Sequence, residues 1–337
     1  MTSFTASPWQ TLDWQQSMKT MTRDLGSLCL ALDIEIDDLP LAHQAAKDFA
    51  LKVPQSFINR MQKGDSSDPL LLQVLPQAAE TLDSVLFTED PLQESQFNPV
   101  PGLIHKYFGR VLLISHPSCA IHCRYCFRRH FDYKANTPGS QHWQQALTYI
   151  SERADIHEVI LSGGDPLSAS DAALEQLISA ISHIPHIQTL RLHTRLPIVM
   201  PERITDALLD ILSQHRLKTV MVLHSNHAQE LTEDCVQAIQ LLQTRKIRLF
   251  NQSVLLKNIN DSVEQQKYLL ERLYHLDIQA YYLHLLDAVK GAEHFFCSDE
   301  VAQQIYAKLV TLLPGYMLPK LVRELPRQLS KTAINIL

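Results

Sequence analysis

From about residue 108 onward, the sequence alternates short apolar runs with amphipathic stretches. Apolar runs bounded by turn residues predict buried strands, and the stretches between them have the period of surface helices. Repeated strand–helix units predict a parallel sheet with helices outside it, because parallel strands need long crossover connections. The predicted strands are Arg110–Ser115, Glu158–Ser162, Thr189–Thr194, Thr219–His224, Ile247–Leu256 and Ile278–Asp287, and the helices between them are His142–Arg153, Asp171–Ser182, Glu202–His215, Thr232–Thr244 and Val263–His275.

Two α/β architectures fit this alternation: a barrel, and an open doubly wound sheet. In both, functional residues gather beyond the carboxyl ends of the strands. Unusual residues follow these ends here: three cysteines after the first strand, Ser-Gly-Gly-Asp after the second, His224 after the fourth and Asp287 at the sixth. We therefore predict that the functional site lies at this edge of the sheet.

The 337 residues are 45% hydrophobic, which is enough for a large core. We predict a mainly helical extension over residues 1–95, a barrel or sheet over 96–315 and a C-terminal segment over 316–337. The extension carries an apolar stripe and no chemical motif. We interpret it as an accessory layer or as a contact between copies in a homo-oligomer.

Charge and hydropathy argue against two classes of partner. The net charge of −6 gives no general attraction to nucleic acid. No apolar run approaches the ~20 residues of a membrane span, and the N-terminus lacks the pattern of a signal peptide. We expect a cytoplasmic protein without a nucleic-acid or membrane partner.

Three of the six cysteines, Cys119, Cys123 and Cys126, form a C-x₃-C-x₂-C motif. Thiolates are soft ligands that suit iron–sulfur clusters or zinc, and both kinds of site usually have four protein ligands. A cluster held by three cysteines leaves one iron open to an outside ligand. The alternatives are zinc with a fourth ligand such as His122, or unligated thiols. We interpret the remaining cysteines as ordinary buried thiols: Cys29, Cys235 and Cys297.

The spacing, the loop position and Tyr125 before the last cysteine resemble the radical S-adenosylmethionine (SAM) enzymes. Four further segments resemble the lysine 2,3-aminomutase family over roughly residues 100–337. The resemblance implies a partial (β/α)₆ barrel of the TIM type that binds a [4Fe–4S] cluster on the three cysteines, SAM and pyridoxal phosphate (PLP). The segments are CRYCFRRH up to His130, RLPIVMPERIT from Arg195, NQSVLL from Asn251, and YYLHLLD up to Asp287 with His294-Phe295.

Cofactor-binding roles follow from the resemblance. Lys331 falls at the position of the lysine that bonds to PLP, although Arg-Gln-Leu-Ser replaces the family's Gly-rich run before it. Lys320 is a rival whose flanking residues do not match. The resemblance places Ser162, Gly163, Gly164, Asp165 and His224 near SAM, Asn251 and Gln252 on polar groups of SAM or PLP, Lys106 and Arg110 near the PLP phosphate, and the Arg195 region over that cofactor.

The substrate prediction uses charge as well as resemblance. Arg128 matches the family's carboxylate-binding arginine, and a planar guanidinium suits a carboxylate. Asp287 and Glu324 match the pair of acids that meets the far ammonium group of lysine. Alternatively, either acid satisfies a core arginine, and Arg129 is structural and pairs with an acidic neighbour. The pair predicts L-lysine as substrate and would repel an acidic amino acid.

The implied reaction is a 1,2-amino shift that makes (R)-β-lysine with an external electron donor. The short tail, the missing Gly-rich run and Glu324 resemble the branch of the family that supplies β-lysine for elongation factor P. In that branch, a separate ligase attaches the product to the factor. Alternatives are another amino acid substrate such as glutamate, a radical SAM enzyme without PLP, and a non-catalytic iron–sulfur or zinc protein.

Overall fold

The computed structural model describes residues 13–36, 42–82, 84–136 and 140–335. Its centre is one nine-stranded sheet whose strands follow one another in chain order. The strands are β1 (Leu103–Tyr107), β2 (Arg110–His116), β3 (Glu158–Gly163), β4 (Thr189–Thr194), β5 (Lys218–His224), β6 (Arg248–Val254), β7 (Gln279–His284), β8 (Lys320–Arg323) and β9 (Thr332–Ala333).

Strand order distinguishes between the two predicted architectures. Strands β2 to β8 run parallel, each beside the next in sequence, whereas β1 and β9 are antiparallel to their neighbours. A doubly wound sheet would reverse its order at a switch point, so the barrel alternative is the right one. Side chains of β1 bring the two edges together: Lys106 Nζ and Tyr107 Oη both donate to Glu324, which directly follows β8.

The six predicted strands correspond to β2 through β7 and are confirmed within a few residues at their ends. Three further strands were not predicted. β1 contains His105 and Lys106 among only five residues, and β8 and β9 have four and two residues. Elements this short carry too little periodic pattern to be recognised from sequence.

Helices cover the outside of the barrel and bury their apolar faces against it. The serine hydroxyls of Ser170, Ser262 and Ser298 accept hydrogen bonds from backbone N–H groups and begin three of these helices. The predicted helices are confirmed, except that Glu202–His215 begins as a 3₁₀ turn at Pro201–Arg203. The α-helices are α1 (Trp14–Lys19), α2 (Leu25–Leu32), α3 (Ala42–Asp48), α4 (Gln55–Ile58), α5 (Pro69–Leu72), α6 (Ser140–Ser151), α7 (Asp171–Ser182), α8 (Leu196–Val199), α9 (Asp206–Ser213), α10 (Glu233–Thr244), α11 (Val263–His275) and α12 (Asp299–Leu312).

The N-terminal region is less helical than predicted. Helices α1 to α5 have only four to eight residues, and loops and single turns join them. Prolines such as Pro54 and Pro76 explain part of this, because proline restricts the helical conformation of the residue before it. Leu28, Phe57 and Leu71 of this region belong to the same apolar core as the barrel strands. The region is therefore a layer packed on the barrel.

None of the helices in the described part of the chain combines the length and the apolar character needed to cross a bilayer.

Candidate active site

The three-cysteine loop follows β2 at the carboxyl end of the barrel. Burial, followed by the negative charge of Cys123, raises the pKa of the Cys126 thiol to about 11. Burial also raises the pKa of Cys119, and Cys126 and Cys123 add to that effect. The three sulfurs are thus close enough to repel one another as thiolates. A positively charged metal group between them would remove this repulsion.

Zinc does not fit the arrangement. Among the residues described, no three His, Cys, Asp or Glu side chains are placed to hold a single metal ion. Zinc–sulfur bonds of about 2.3 Å would require thiolates only about 4 Å apart, whereas each cysteine of an iron–sulfur cluster binds a different iron. His122 is also engaged elsewhere: its Nδ1 lies 2.8 Å from the Ala50 carbonyl and its ring stacks on Phe49. The donor set fits a cluster held by three cysteines.

The N-terminal layer holds this loop in place. Arg124 N donates to the Gln73 carbonyl at 2.9 Å. The Arg124 guanidinium donates to Glu80 through Nε at 2.8 Å and Nη2 at 2.5 Å, and Arg129 Nη2 donates to the same carboxylate at 2.8 Å. All three charged side chains are at most 3% exposed. This confirms the interpretation of Arg129 as a structural arginine paired with an acid.

The Ser-Gly-Gly-Asp segment after β3 packs directly on the start of the cysteine loop. A Cβ atom at Gly164 would lie only 2.5 Å from the Ser118 carbonyl oxygen, so no other residue fits without movement. Gly163 has φ of +112°, a conformation that other residues rarely adopt. Backbone hydrogen bonds of 2.8 Å from Gly164 to His116 and 3.0 Å from Asp165 to Ser118 join the two loops. Their predicted contact with SAM stays a prediction.

Asp165 connects this segment to the end of β4. Its carboxylate accepts hydrogen bonds from Thr194 Oγ1 at 2.7 Å, from Arg195 N at 2.7 Å and from Leu167 N at 3.0 Å. Burial raises the pKa of Asp165 to about 6. The side chain therefore ties the segment after β3 to the end of β4, and the protein itself supplies its partners.

Arg195 lies beside the cysteine loop, and the prediction that its region closes over PLP stays a prediction. Its Nη1 donates to Cys123 Sγ at 2.7 Å and to Tyr125 Oη at 2.8 Å. Its Nη2 donates to Gln73 Oε1 at 2.7 Å and to Glu230 Oε2 at 2.9 Å. Glu230 is fully buried and needs this cation, which keeps the guanidinium on the cluster side.

The polar residues predicted at β5 and β6 differ in whether the protein already supplies their hydrogen-bond partners. The Asn251 amide is used by the backbone of Ser225, accepting from its N at 2.9 Å and donating to its O at 3.0 Å. Its predicted bond to SAM or PLP stays a prediction. Gln252 lies in register with His224 on the neighbouring strand. Within the described structure, Nε2 of His224 is buried and without a hydrogen-bond partner, which leaves it available to a ligand.

The second half of the site contains the predicted PLP lysine. Lys331 Nζ donates to Glu324 Oε2 at 2.6 Å and lies 5.6 Å from the Tyr282 ring centre. Lys106 Nζ and Tyr107 Oη donate to the other oxygen of Glu324 at 3.0 Å and 2.8 Å. These partners hold the pKa of Glu324 well below its ordinary value, even though burial acts in the opposite direction. Glu324 is thus ionised and pairs with two lysines.

Arg110 lies beside this group, with its guanidinium 4.8 Å from the Tyr107 ring centre. The structure therefore brings together Lys331 and both cations that were predicted for the PLP phosphate. In this arrangement Lys106 is bound to Glu324, so a phosphate would have to share or replace that carboxylate. Two positive side chains with a third amine nearby are the donor set that an anionic aldehyde cofactor needs.

Asp287 lies near this group without an ion pair among the described residues. Burial, followed by the negative charge of Glu324, raises its pKa to about 7, while Lys331 acts in the opposite direction. Any cation placed beside Asp287 would therefore stabilise the ionised form of its carboxyl group. An ammonium group of the substrate would be such a cation, so the predicted role of Asp287 is chemically suitable. Glu324 is less available for it because two lysines already occupy its oxygens.

Arg128, the predicted partner of the substrate carboxylate, lies on the side of the site that contains the cysteine loop. Its Nε and Nη2 donate to the two oxygens of Glu94 at 2.8 Å and 2.7 Å, and its Nη1 donates to Ser162 Oγ at 3.2 Å. Sequence reasoning missed Glu94, and it also missed Gln73, Glu80 and Glu230. No local motif marks these residues, since each meets its partner 34 to 157 positions away.

Comparison with known proteins agrees with this geometry. A profile of the 4Fe-4S single cluster domain family matches residues 109–194. The L-lysine 2,3-aminomutase of Haemophilus influenzae is 46% identical over 320 residues, which cover 95% of each chain. The L-lysine 2,3-aminomutase of Escherichia coli is 45% identical over 325 residues, which cover 96% of this chain and 95% of the relative.

The fold has relatives among solved structures as well. The crystal structure of a radical SAM methyltransferase from Sphaerobacter thermophilus superposes with a TM-score of 0.50, at 14% identity, over 69% of this chain and 72% of that one. This confirms the predicted partial barrel of the radical SAM kind. The chain is 45–46% identical to the two aminomutases over nearly its full length, which shows that it belongs to the lysine 2,3-aminomutase family.

Proposed function

We propose that this chain converts L-lysine to (R)-β-lysine by moving the α-amino group to the neighbouring carbon. The observation that carries the proposal is the meeting of two groups at one end of the barrel. One is the three-cysteine loop, and the other is Lys331 with Glu324 and Asp287. The names of the two relatives support lysine as the substrate.

The cofactors would be held by different parts of the site. Cys119, Cys123 and Cys126 would hold the [4Fe–4S] cluster, with SAM at the iron they leave open. Lys331 would bond to PLP, with Lys106 and Arg110 close to its phosphate. When bound, the cluster supplies the electron that splits SAM, and PLP supplies the carbonyl carbon to which the migrating amino group attaches.

The protein's own contribution is position and charge. Arg128 binds the substrate carboxylate and Asp287 binds the distant ammonium, so the amino acid is fixed at both ends. Glu324 accepts a hydrogen bond from the Lys331 ammonium at 2.6 Å and so orients that side chain. His193 and His224 line the site without a charge, because burial holds the pKa of both rings below the usual value.

We propose further that the product serves modification of elongation factor P, with a separate ligase and an external electron donor as functional partners. Two features of the sequence support this branch: Glu324 stands where the family usually has Asp, and Arg-Gln-Leu-Ser stands where it has a Gly-rich run. We also expect the enzyme to work in the cytoplasm.

An anaerobic assay with SAM, PLP and dithionite tests the reaction when L-lysine and L-glutamate are offered side by side. We expect β-lysine to form and glutamate to remain unchanged, because Asp287 and Glu324 repel a second carboxylate. Preferential conversion of glutamate would contradict the substrate assignment. Cleavage of SAM without any amino shift would contradict the reaction.

A further inference from the structure

Arg128 already holds a carboxylate of the protein at the place where the proposed function puts that of the substrate. Its Nε donates to Glu94 Oε2 at 2.8 Å and its Nη2 donates to Glu94 Oε1 at 2.7 Å. The two side chains are 6% and 11% exposed. Such a bidentate and nearly dry ion pair fixes the orientation of a guanidinium strongly.

The contact with Glu94 leaves part of the guanidinium free. An arginine has five N–H groups, and Arg128 uses two of them on Glu94 and one on Ser162 Oγ at 3.2 Å. Within the described residues, one N–H therefore remains without a partner on each of the two terminal nitrogens. Two N–H groups on neighbouring nitrogens are what a second carboxylate needs for a bidentate contact. Glu94 and a substrate carboxylate can thus bind Arg128 at the same time.

The pair also lies within electrostatic reach of the rest of the site. The charge of Arg128 adds to the lowering of the pKa of His193, and the charge of Glu94 adds to the raising of that of Asp287. Burial is the larger cause in both cases. An amino acid between Arg128 and Asp287 would therefore feel both members of the ion pair.

Glu94 comes from a segment that is attached to several parts of the site. Thr88 forms backbone hydrogen bonds of 2.9 Å with Ala288 and Lys290, directly after Asp287. Glu94 begins a 3₁₀ turn that ends at Phe97, and its N donates to Asp90 Oδ1 at 3.2 Å. In the same turn Gln96 Oε1 accepts from Arg327 Nε at 3.2 Å. The segment that contains Glu94 is thus attached both to the residues that follow Asp287 and to Arg327.

We propose that Glu94 is the positioning residue for Arg128. Together with Ser162, it fixes the guanidinium so that its two remaining N–H groups face the α-carboxylate of the amino acid. The inference rests on the proposed function and adds to it a residue that never touches the substrate. A simple competitor role for Glu94 would require the opposite effect on substrate affinity, which makes the two roles separable.

Glu94→Gln tests the proposal, because the amide keeps the shape of the carboxylate but removes its charge and one acceptor. Its amide N–H groups face the N–H groups of Arg128, so the guanidinium loses its fixed orientation. We expect KM for L-lysine to rise at least about tenfold while kcat stays within about threefold of wild type. Ser162→Ala should change KM in the same direction by a smaller factor.

Asp234→Asn serves as a matched control. It breaks another ion pair of a buried arginine, Arg60–Asp234 at 2.9 Å, which lies outside the proposed site. We expect its KM to equal that of wild type. Glu94→Asp keeps the charge and should lie between wild type and Glu94→Gln, and it replaces Glu94→Gln if that variant does not fold.

An unchanged or lower KM in Glu94→Gln would overturn the proposal, and a lower value would show that Glu94 competes with the substrate. Loss of kcat at unchanged KM would also overturn it, because the effect would then lie in the chemistry. If wild type itself did not convert lysine, the proposed function would fail instead, so the two failures are distinguishable.

Discussion

The two halves of the site differ in how their charges are satisfied. At the cysteine loop, Arg124, Arg129 and Arg195 are paired with Glu80 and Glu230, and these buried carboxylates also accept hydrogen bonds from backbone N–H groups. At the opposite half, Lys106 and Lys331 share the single carboxylate of Glu324, and no cation in the described part of the chain forms an ion pair with Asp287. We infer that the half around the cysteine loop stays fixed, whereas side chains of the half around Lys331 exchange partners when ligands bind.

The physical reason lies in what each half has to hold. A cluster on three cysteines needs ligands at set positions, and buried ion pairs around the loop are costly to break. PLP and an amino acid bring their own charges, so the protein needs charges that can be redistributed among new partners. Asp287, whose pKa is raised to about 7, is such a group.

The largest effect is expected for Cys126→Ser, which removes one ligand of the cluster. Cleavage of SAM should fall to background and the iron content of reconstituted protein should drop, because two thiolates cannot hold the cluster. Both are measured anaerobically, as 5′-deoxyadenosine formed and iron bound. Cys297→Ser changes a buried thiol outside the loop and should leave both unchanged. Undiminished SAM cleavage in Cys126→Ser would remove the basis for the whole account.

The next effect concerns the fixed half. Glu80→Gln leaves Arg124 and Arg129 without their shared carboxylate in a buried position, so the free energy of unfolding should fall by about 3–5 kcal/mol. Denaturant unfolding of the cluster-free protein measures this. Glu175→Gln on the exposed face of α7 is the control and should change it by less than about 0.5 kcal/mol. Equal stability of the two variants would show that the loop does not depend on this ion pair.

Lys331→Ala tests whether the two halves of the site work independently of each other. We expect loss of the visible absorbance of protein-bound PLP and a fall of at least about 10²-fold in β-lysine formation, since a misplaced cofactor alone costs that much. Cleavage of SAM should persist, because the cysteine loop is held independently. Lys320→Ala is the control, because Lys320 lies in β8 with an exposed side chain. Among the described residues, Glu324 pairs with Lys331 and Lys106 and not with Lys320. PLP retained by Lys331→Ala but lost from Lys320→Ala would reverse the assignment.

The smallest of these effects is expected for Asp287→Asn. The wild-type carboxyl has a raised pKa of about 7, so it gains a proton as the pH falls below 7 and then no longer attracts the substrate ammonium. The value of kcat/KM for lysine should therefore decrease from pH 8 to pH 6. Asp287→Asn should lose at least about 30-fold at pH 8 and show no such decrease. A pH profile that is the same in both would exclude Asp287 as the ammonium partner.

Local patterns were enough to predict the six central strands and the cysteine loop. Strands β2, β3 and β5 contain short continuous apolar runs, and β4 alternates apolar with polar residues. The three cysteines lie within eight residues, so these features are visible without knowledge of the fold. The short strands β1, β8 and β9 were missed because barrel closure, and not a local pattern, determines them. The helical prediction for the N-terminal region failed where prolines interrupt short helices.

The partners of the predicted side chains could not be read from the sequence. The position of Arg195 beside the cysteine loop depends on Glu230 and Gln73, which come from distant segments. Asn251 carried a family motif, yet the structure uses its amide to hold Ser225. Long-range pairing of this kind depends on the fold, and a single sequence contains no signal for it.

The proposed reaction requires that a radical made at the cysteine loop acts on an amino acid held at Lys331, Arg128 and Asp287. L-lysine with deuterium on Cβ tests this requirement with wild-type protein, SAM, PLP and dithionite. We expect β-lysine to form and deuterium to appear in the 5′-deoxyadenosyl group of SAM or in 5′-deoxyadenosine. Formation of β-lysine without any transfer of deuterium to that group would contradict it.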